Sequence, residues 1–335
     1  MERLVNIVEQ IREAGRLLGL KSAPHARMAL LLLDNAAEIL MHRTVVNDLQ
    51  HDDTWLRIIQ SAKDSLPANE AAAFIQQSRY KPIPPKHRKE IVRHFIPKVD
   101  FLIEQQKLPE VVGQVVKALH RYRNDAYHRD KVRRDTLHAA AIIYYEVVCE
   151  LFVTLPPSSV AFSRADDYAG FLSKFGLSSP YSIIPDGFEE IASKLRSEIG
   201  IDANTLAQVL SGHLVSRLDE LREGLDFICE NVERDATHEK ELKKIQFWKK
   251  TGRIPKNETD QQYIVYEPKY TLANLSEWQA KAEQLETQVG EGKLKLLREF
   301  CEIERHLELL EEMVNEVASL IDQAIQLEID IARGK

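Results

Sequence analysis

The sequence predicts an all-α chain in two parts: a helical bundle over residues 1–157, then a helical, coiled-coil-rich region over residues 158–335. Three observations carry this. Apolar residues recur at helical spacing almost throughout, and only Tyr263–Tyr266 reads as extended. Glycine and proline are scarce, at 13 each in 335 residues, so long stretches run without a breaker. The prolines also cluster, at Pro82–Pro85, Pro156–Pro157 and Pro180–Pro185.

Taken in order, the first part reads as helices over 2–19, 24–48, 53–65, 69–78, 87–106, 109–126 and 130–154. Pro24 suits a first helical turn, where its missing N–H costs nothing. Leu155-Pro156-Pro157-Ser158-Ser159 stops the chain and marks the boundary between the parts. In the second part, Leu214, Leu218, Leu221, Leu225, Ile228 and Val232 alternate in steps of four and three. Leu275, Trp278, Ala282, Leu285 and Val289 do the same, as do Leu296, Phe300, Ile303, Leu307, Leu310, Val314, Val317, Ile321 and Ala324. That is a coiled-coil seam, sustained over four heptads in the last helix. Gly290-Glu291-Gly292 can turn the chain between the last two helices into an antiparallel hairpin. The segment from Lys249 to Tyr270 reads as a long loop.

Composition narrows the function. The chain is 44% hydrophobic and 29% charged, ordinary for a globular protein with a real core. Its net charge of -7 argues against coating nucleic acid along its whole length. The charge is uneven, however. Residues 1–150 carry a net +4 and residues 151–335 a net -11, and 81–134 alone hold 14 basic against 6 acidic residues. Such a local excess attracts a polyanion, although a solvated basic face or docking on the acidic second half would also account for it. In the second case residues 160–335 would act as an autoinhibitor, and their deletion would raise activity.

Cys149, Cys229 and Cys301 are widely spaced, which excludes a disulfide scaffold or cysteine-rich zinc module and fits a reducing compartment. Glu2 and Glu9 interrupt any secretory signal, and the apolar stretch Met28–Leu33 is far short of the ~20 residues of a membrane span. A cytoplasmic protein without a membrane partner is expected.

Sites with strict motifs are missing. There is no HExxH, clustered His/Cys or EF-hand loop for a metal. Phosphate-cradling glycine loops and a GxSxG nucleophile elbow are missing too. His87 and His94, seven apart, read as surface histidines. No metal and no cofactor are expected.

The one chemically dense stretch is Arg121-Tyr122-Arg123-Asn124-Asp125-Ala126-Tyr127-His128-Arg129-Asp130. It follows an apolar helix (Val111, Val112, Val115, Val116, Leu119) and precedes another (Ala139 to Phe152). Polar groups at such a junction must be exposed or well paired.

Arg123-(Asn-Asp-Ala-Tyr)-His128 resembles the Arg-x(4–6)-His signature of the HEPN superfamily, with a polar residue directly after the arginine and an aromatic before the histidine. Arg88/His94, Arg121/His128 and Arg133/His138 fit the bare spacing, but Arg123/His128 has the flanking apolar helices and the basic surroundings. The helix Met28 to Arg43, punctuated by Asp34, Asn35 and Glu38, is also similar to a buried helix of that family. The resemblance covers residues 1–155. It implies an all-α bundle that dimerises, and a metal-independent endoribonuclease of a prokaryotic defence or toxin-type system, with RNA as substrate and an antitoxin or trigger protein as a further partner. Where one branch of the family has a nucleotidylated tyrosine, this chain has Asp130, so that route of regulation is not expected.

The chemistry is consistent with those residue types. RNA supplies its own nucleophile, the 2′-OH, whose attack on the adjacent phosphate yields a 2′,3′-cyclic phosphate and a 5′-OH. Histidine exchanges a proton near neutral pH, and arginine forks onto phosphate oxygens without titrating. The resemblance implies His128 as general acid or base and Arg123 as stabiliser of the phosphate. Asn124 would orient the phosphate or His128, and Arg121 and Arg129 would hold the RNA backbone. Tyr127 either stacks on a base or packs as a core or dimer-contact residue. On an unbroken helix, residues five apart point about 140° from each other. Either the helix ends between Arg123 and His128, or two chains combine their residues. The alternative is a non-catalytic helical scaffold or adaptor, whose first domain only binds RNA or nucleotide or dimerises.

Overall fold

A computed structural model of the chain describes residues 2–78, 80–128, 134–157, 168–179, 187–232, 235–255 and 259–334, without the side chains of residues 127 and 128. The described residues are helical with no strand, which establishes the all-α class. The chain divides into two compact units. Unit 1 comprises Met1–Val132 with Ala140–Asp202, and unit 2 comprises Arg133–Ala139 with Ala203–Lys335. Unit 1 therefore runs past Pro156 and Pro157.

Unit 1 is built on α1 (Glu2–Leu18) packed along α2 (Ala23–Ser65). Leu4, Ile7, Val8 and Ile11 recur on one face of α1 and are buried, as are Leu30, Leu33, Ala37, Leu40 and Met41 of α2. α2 is a single helix of 43 residues, not the two helices expected over 24–48 and 53–65. Leu49-Gln50-His51-Asp52 contains no glycine or proline, so nothing in the backbone interrupts it. Asp52 is instead buried on its flank, where it takes hydrogen bonds from Tyr80 Oη, the Ile83 amide and, at 3.0 Å, Arg88. This ties the segment after α3 (Ala68–Ser78) back to α2.

The helix expected over 87–106 is two: α4 (Pro85–Arg93) and α5 (Phe95–Glu104), parted at His94, whose backbone is extended. Pro97 is the cause. It is tolerated in a first turn but not in a helix interior, so the helix restarts two residues before it. α6 (Glu110–His128) and α7 (Arg134–Thr154) follow.

The α7 helix is long and apolar enough to cross a membrane, with a mean hydropathy of 1.5, but 72% of that stretch is buried inside the protein. It is a core helix: Tyr144, Tyr145, Val147, Val148, Leu151 and Phe152 have no exposed surface. α8 (Ala169–Phe175) and α9 (Gly187–Glu198) complete the unit. Arg196 fixes α9 to α7 through Glu146 at 2.9 Å and Glu150 at 3.1 Å.

Unit 2 centres on α10 (Ala203–Val232), packed against α14 (Lys293–Ala332) and α13 (Leu272–Gln284). The expected seam of α14 is buried from Leu296 to Val314 and fades beyond it, where Ala324 is exposed. Gly292, at φ +91, makes the turn into α14. Two expectations are corrected between α10 and α13. The 249–270 stretch is not one long loop, since α11 (His238–Thr251) enters it and α12 (Gln261–Ile264) lies within it. Tyr263–Tyr266 is not extended: Asp260 caps a short helix there by accepting from the Gln262 amide at 3.1 Å.

Candidate functional site

The polar face of α6 is the starting point. His120, Arg123 and Asn124 stand three and four residues apart, so they share one side of the helix near its C-terminal end. That side meets α2 at Asp34, a carboxylate only 3% exposed. His120 Nδ1 lies 2.8 Å from Asp34 Oδ1, and Arg123 donates to Oδ2 of the same carboxylate. Tyr144 of α7, itself fully buried, donates to Asp34 Oδ1 at 2.7 Å. Three helices therefore converge on one carboxylate.

A buried anion needs such company, because removing it from water without partners is prohibitive. Burial alone pushes the Asp34 carboxyl up. The hydrogen bonds from His120 and Tyr144 and the charges of His120 and Arg123 outweigh it, so the group sits below the usual carboxylate range. The Tyr144 hydroxyl is driven well above its ordinary value, first by burial and then by the adjacent Asp34 charge.

The imidazole of His120 is held on all sides. Its Nδ1 faces Asp34, and on the other side of the ring Nε2 lies 3.4 Å from Asn124 Nδ2. Phe95 of α5 stacks flat on the ring, with centroids 3.7 Å apart. One turn along α2 from Asp34, Glu38 pairs with the fully buried Lys98 at 2.9 Å. Arg123 is less confined. Its side chain is 23% exposed, and its Nε is buried without a hydrogen-bond partner.

The sequence-derived site residues divide accordingly. Arg123 and Asn124 come together, through Asp34 and His120. Arg121 is exposed, outside this cluster. The side chains of Tyr127 and His128, and all of Arg129, lie outside the described residues. The backbone of α6 does continue to His128, so the helix does not end between Arg123 and His128. Among the described residues no group of three or more His, Cys, Asp or Glu is gathered as a metal site would need.

Sequence reasoning passed over His120 and Tyr144, and read Asp34 only as punctuation. The signal was there in part: an aspartate in the apolar run Met28–Leu40 has to be satisfied, and a histidine three residues before Arg123 is the partner that helical spacing supplies. Tyr144 carries no such signal, being one aromatic among many apolar residues of α7.

No family model, no curated protein and no solved structure matches the chain.

Proposed function

We propose that the chain is an endoribonuclease needing no metal, with Arg123 stabilising the phosphate and His128 moving the proton. The observation that carries this reading is the setting of Arg123. Its guanidinium is anchored by a buried carboxylate, while the side chain as a whole keeps 23% of its surface open to solvent. An arginine so held is oriented in advance, and a phosphate meeting its free edge costs little further ordering. In this reading His120, locked between Asp34, Asn124 and Phe95, positions the constellation and does not exchange protons with RNA.

The continuity of α6 supports a homodimeric arrangement. Five residues along an unbroken helix turn about 140°, so Arg123 and His128 of one chain face different ways. Two chains related by a two-fold axis can bring one chain's Arg123 to the other's His128. Arg121 and Arg129 then track the RNA backbone, with Tyr127 beside a base. A role in defence or toxin biology, with an antitoxin or trigger as partner, belongs to the same reading.

The test is cleavage of total RNA and tRNA in EDTA by the wild type, His128→Ala, Arg123→Ala and His120→Ala. Loss of cleavage in a stably folded His128→Ala protein, with cyclic-phosphate ends from the wild type, supports the proposal. Full activity in His128→Ala would end it.

A second reading, a non-catalytic helical scaffold or adaptor, is favoured by one observation. Leu320, Leu327 and Ile331 on the last turns of α14 are exposed, which suits a partner-binding helix. A folded full-length wild type that is silent with every RNA would favour it.

A further inference from the structure

A cleft of about 740 Å³ opens in unit 1, away from the Asp34 cluster. It lies between the start of α1, the middle of α2, the α5–α6 connection and the end of α7. Its cationic side is formed by Arg3, Arg43 and Lys107, and Val46, Leu155 and Pro156 contribute an apolar wall. No carboxylate lines it.

The charges are not alike. Lys107 is neutralised by Asp48. Arg3 and Arg43 have no ion-pair partner among the described residues. Arg43 is half-buried, and its Nη1 is buried with no hydrogen bond at all. Burial, then the neighbouring charge of Arg3, pull the guanidinium below its ordinary value. Two like charges held together, one of them partly desolvated, are costly in a fold that gains nothing from them. The connection at the rim is also fixed in an uncommon shape. Gln106, a non-glycine residue, stands at φ +55, and the Lys107 amide bonds back to the Leu102 carbonyl at 3.0 Å.

From this geometry we infer that the cleft is a binding site for a small phosphorylated organic ligand, its phosphate on Arg3 and Arg43 and its body on the apolar wall. The charges match: a phosphate monoester carries ≈ −1.5 to −2 at neutral pH, against two uncompensated guanidinium groups. Arginine forks suit phosphate oxygens, and neither Arg3 nor Arg43 has an ion pair among the described residues to give up. The volume is within the usual range of small-molecule sites, roughly 300–1,000 Å³. No Phe, Tyr or Trp lines the cleft among the described residues, and His42 is the one ring in its lining.

The experiment is isothermal titration calorimetry of the full chain with phenyl phosphate and, separately, inorganic phosphate, at neutral pH. The expected result is one phenyl phosphate per chain, bound more tightly than inorganic phosphate. Arg43→Gln and Arg3→Gln should each weaken it at least about tenfold, while Arg123→Gln leaves it unchanged. Arg3 is exposed, so its variant keeps the test valid should Arg43→Gln fold poorly. Absence of heat from phenyl phosphate with the wild type, equal binding of the two probes, or undiminished binding by Arg3→Gln would each overturn the inference. A short oligoribonucleotide that binds through Arg3 and Arg43 while phenyl phosphate stays silent would assign the cleft to RNA and overturn it too.

Discussion

His120 Nδ1 lies 2.8 Å from Asp34 Oδ1, although 86 residues separate the two along the chain. The pair joins α2 to α6, and Arg123 and Tyr144 close on the same carboxylate. Structure and candidate chemistry therefore share one group, and variants must be chosen to part them.

Asp34→Asn removes the charge that His120 and Arg123 face. The expected cost is about 3 kcal/mol of stability, since one partner of a buried ionic cluster is lost. The pH dependence follows from the sign. The folded carboxyl sits below its ordinary value, so its contribution is present above roughly pH 4 and lost as the pH falls through the lower, folded value. Urea unfolding at neutral and acid pH checks both parts. Asp34→Asn should lack this acid-side loss.

Arg123→Lys keeps a positive charge beside Asp34 but gives up the planar fork. Stability should stay within about 1 kcal/mol of wild type, while RNA cleavage in EDTA falls by roughly 10²-fold. Single-turnover cleavage measured beside a urea curve separates the two effects. Unaltered cleavage would deny Arg123 its proposed part.

His213 of α10 is buried and donates to the Thr136 carbonyl at 3.3 Å. Burial first, and the Arg217 charge second, push it down to about 4. An unfolded histidine takes its proton near 6.5, so stability is full above that pH and declines as the pH falls from about 6.5 to 4. The loss should approach ~3 kcal/mol. Tryptophan fluorescence, to which unit 2 contributes Trp248 and Trp278, reports it, and His213→Gln should flatten this part of the curve.

Arg217 is buried between Glu304 and Glu311, and its Nε donates to Glu311 at 3.0 Å. Arg217→Leu leaves two carboxylates facing each other and should cost about 3–5 kcal/mol. Adding Glu304→Leu and Glu311→Met to that variant should recover most of the loss, because an apolar triad has no charge left to satisfy. Denaturation midpoints of the single and triple variants decide the matter.

Gly15 marks a close approach of α1 to its neighbours. An added Cβ there would stand 2.8 Å from Ile199 Cγ2 and 3.1 Å from the Tyr145 ring. The Tyr145 hydroxyl is tied to the Leu195 carbonyl at 3.1 Å, so the ring cannot swing aside freely. Gly15→Ala should therefore destabilise by about 1–3 kcal/mol despite its better helix propensity. A thermal melt is sufficient to show it.

Much of the helical plan was legible because periodicity is a local property. The start of α1 and the extent of α3 are written in apolar spacing and in the residues at their ends. Legibility failed where a break or a cap depended on detail. Pro97 split one expected helix, and Asp260 turned the β-rich Tyr263–Tyr266 into a helical turn. The stretch 49–52 broke nothing, because Asp52 finds Tyr80 and Arg88 far away in the sequence. For the same reason Arg123 and Asn124 could be named in advance, and Tyr144 could not. Its part is set by which helix α7 packs against, and no local pattern carries that.

The uninterrupted length of α2 has a consequence of phase. Asp34, Arg43 and Asp52 stand nine residues apart in succession on one rod, about 14 Å from each to the next. Nine residues turn 900°, half a revolution beyond two full ones, so Arg43 faces the opposite side from the other two. One residue inserted between Asp34 and Arg43 would rotate Arg43 and Asp52 together by about 100° relative to Asp34. α2 can drift in composition on its open face, but its residue count is under a stricter constraint than any single side chain it carries.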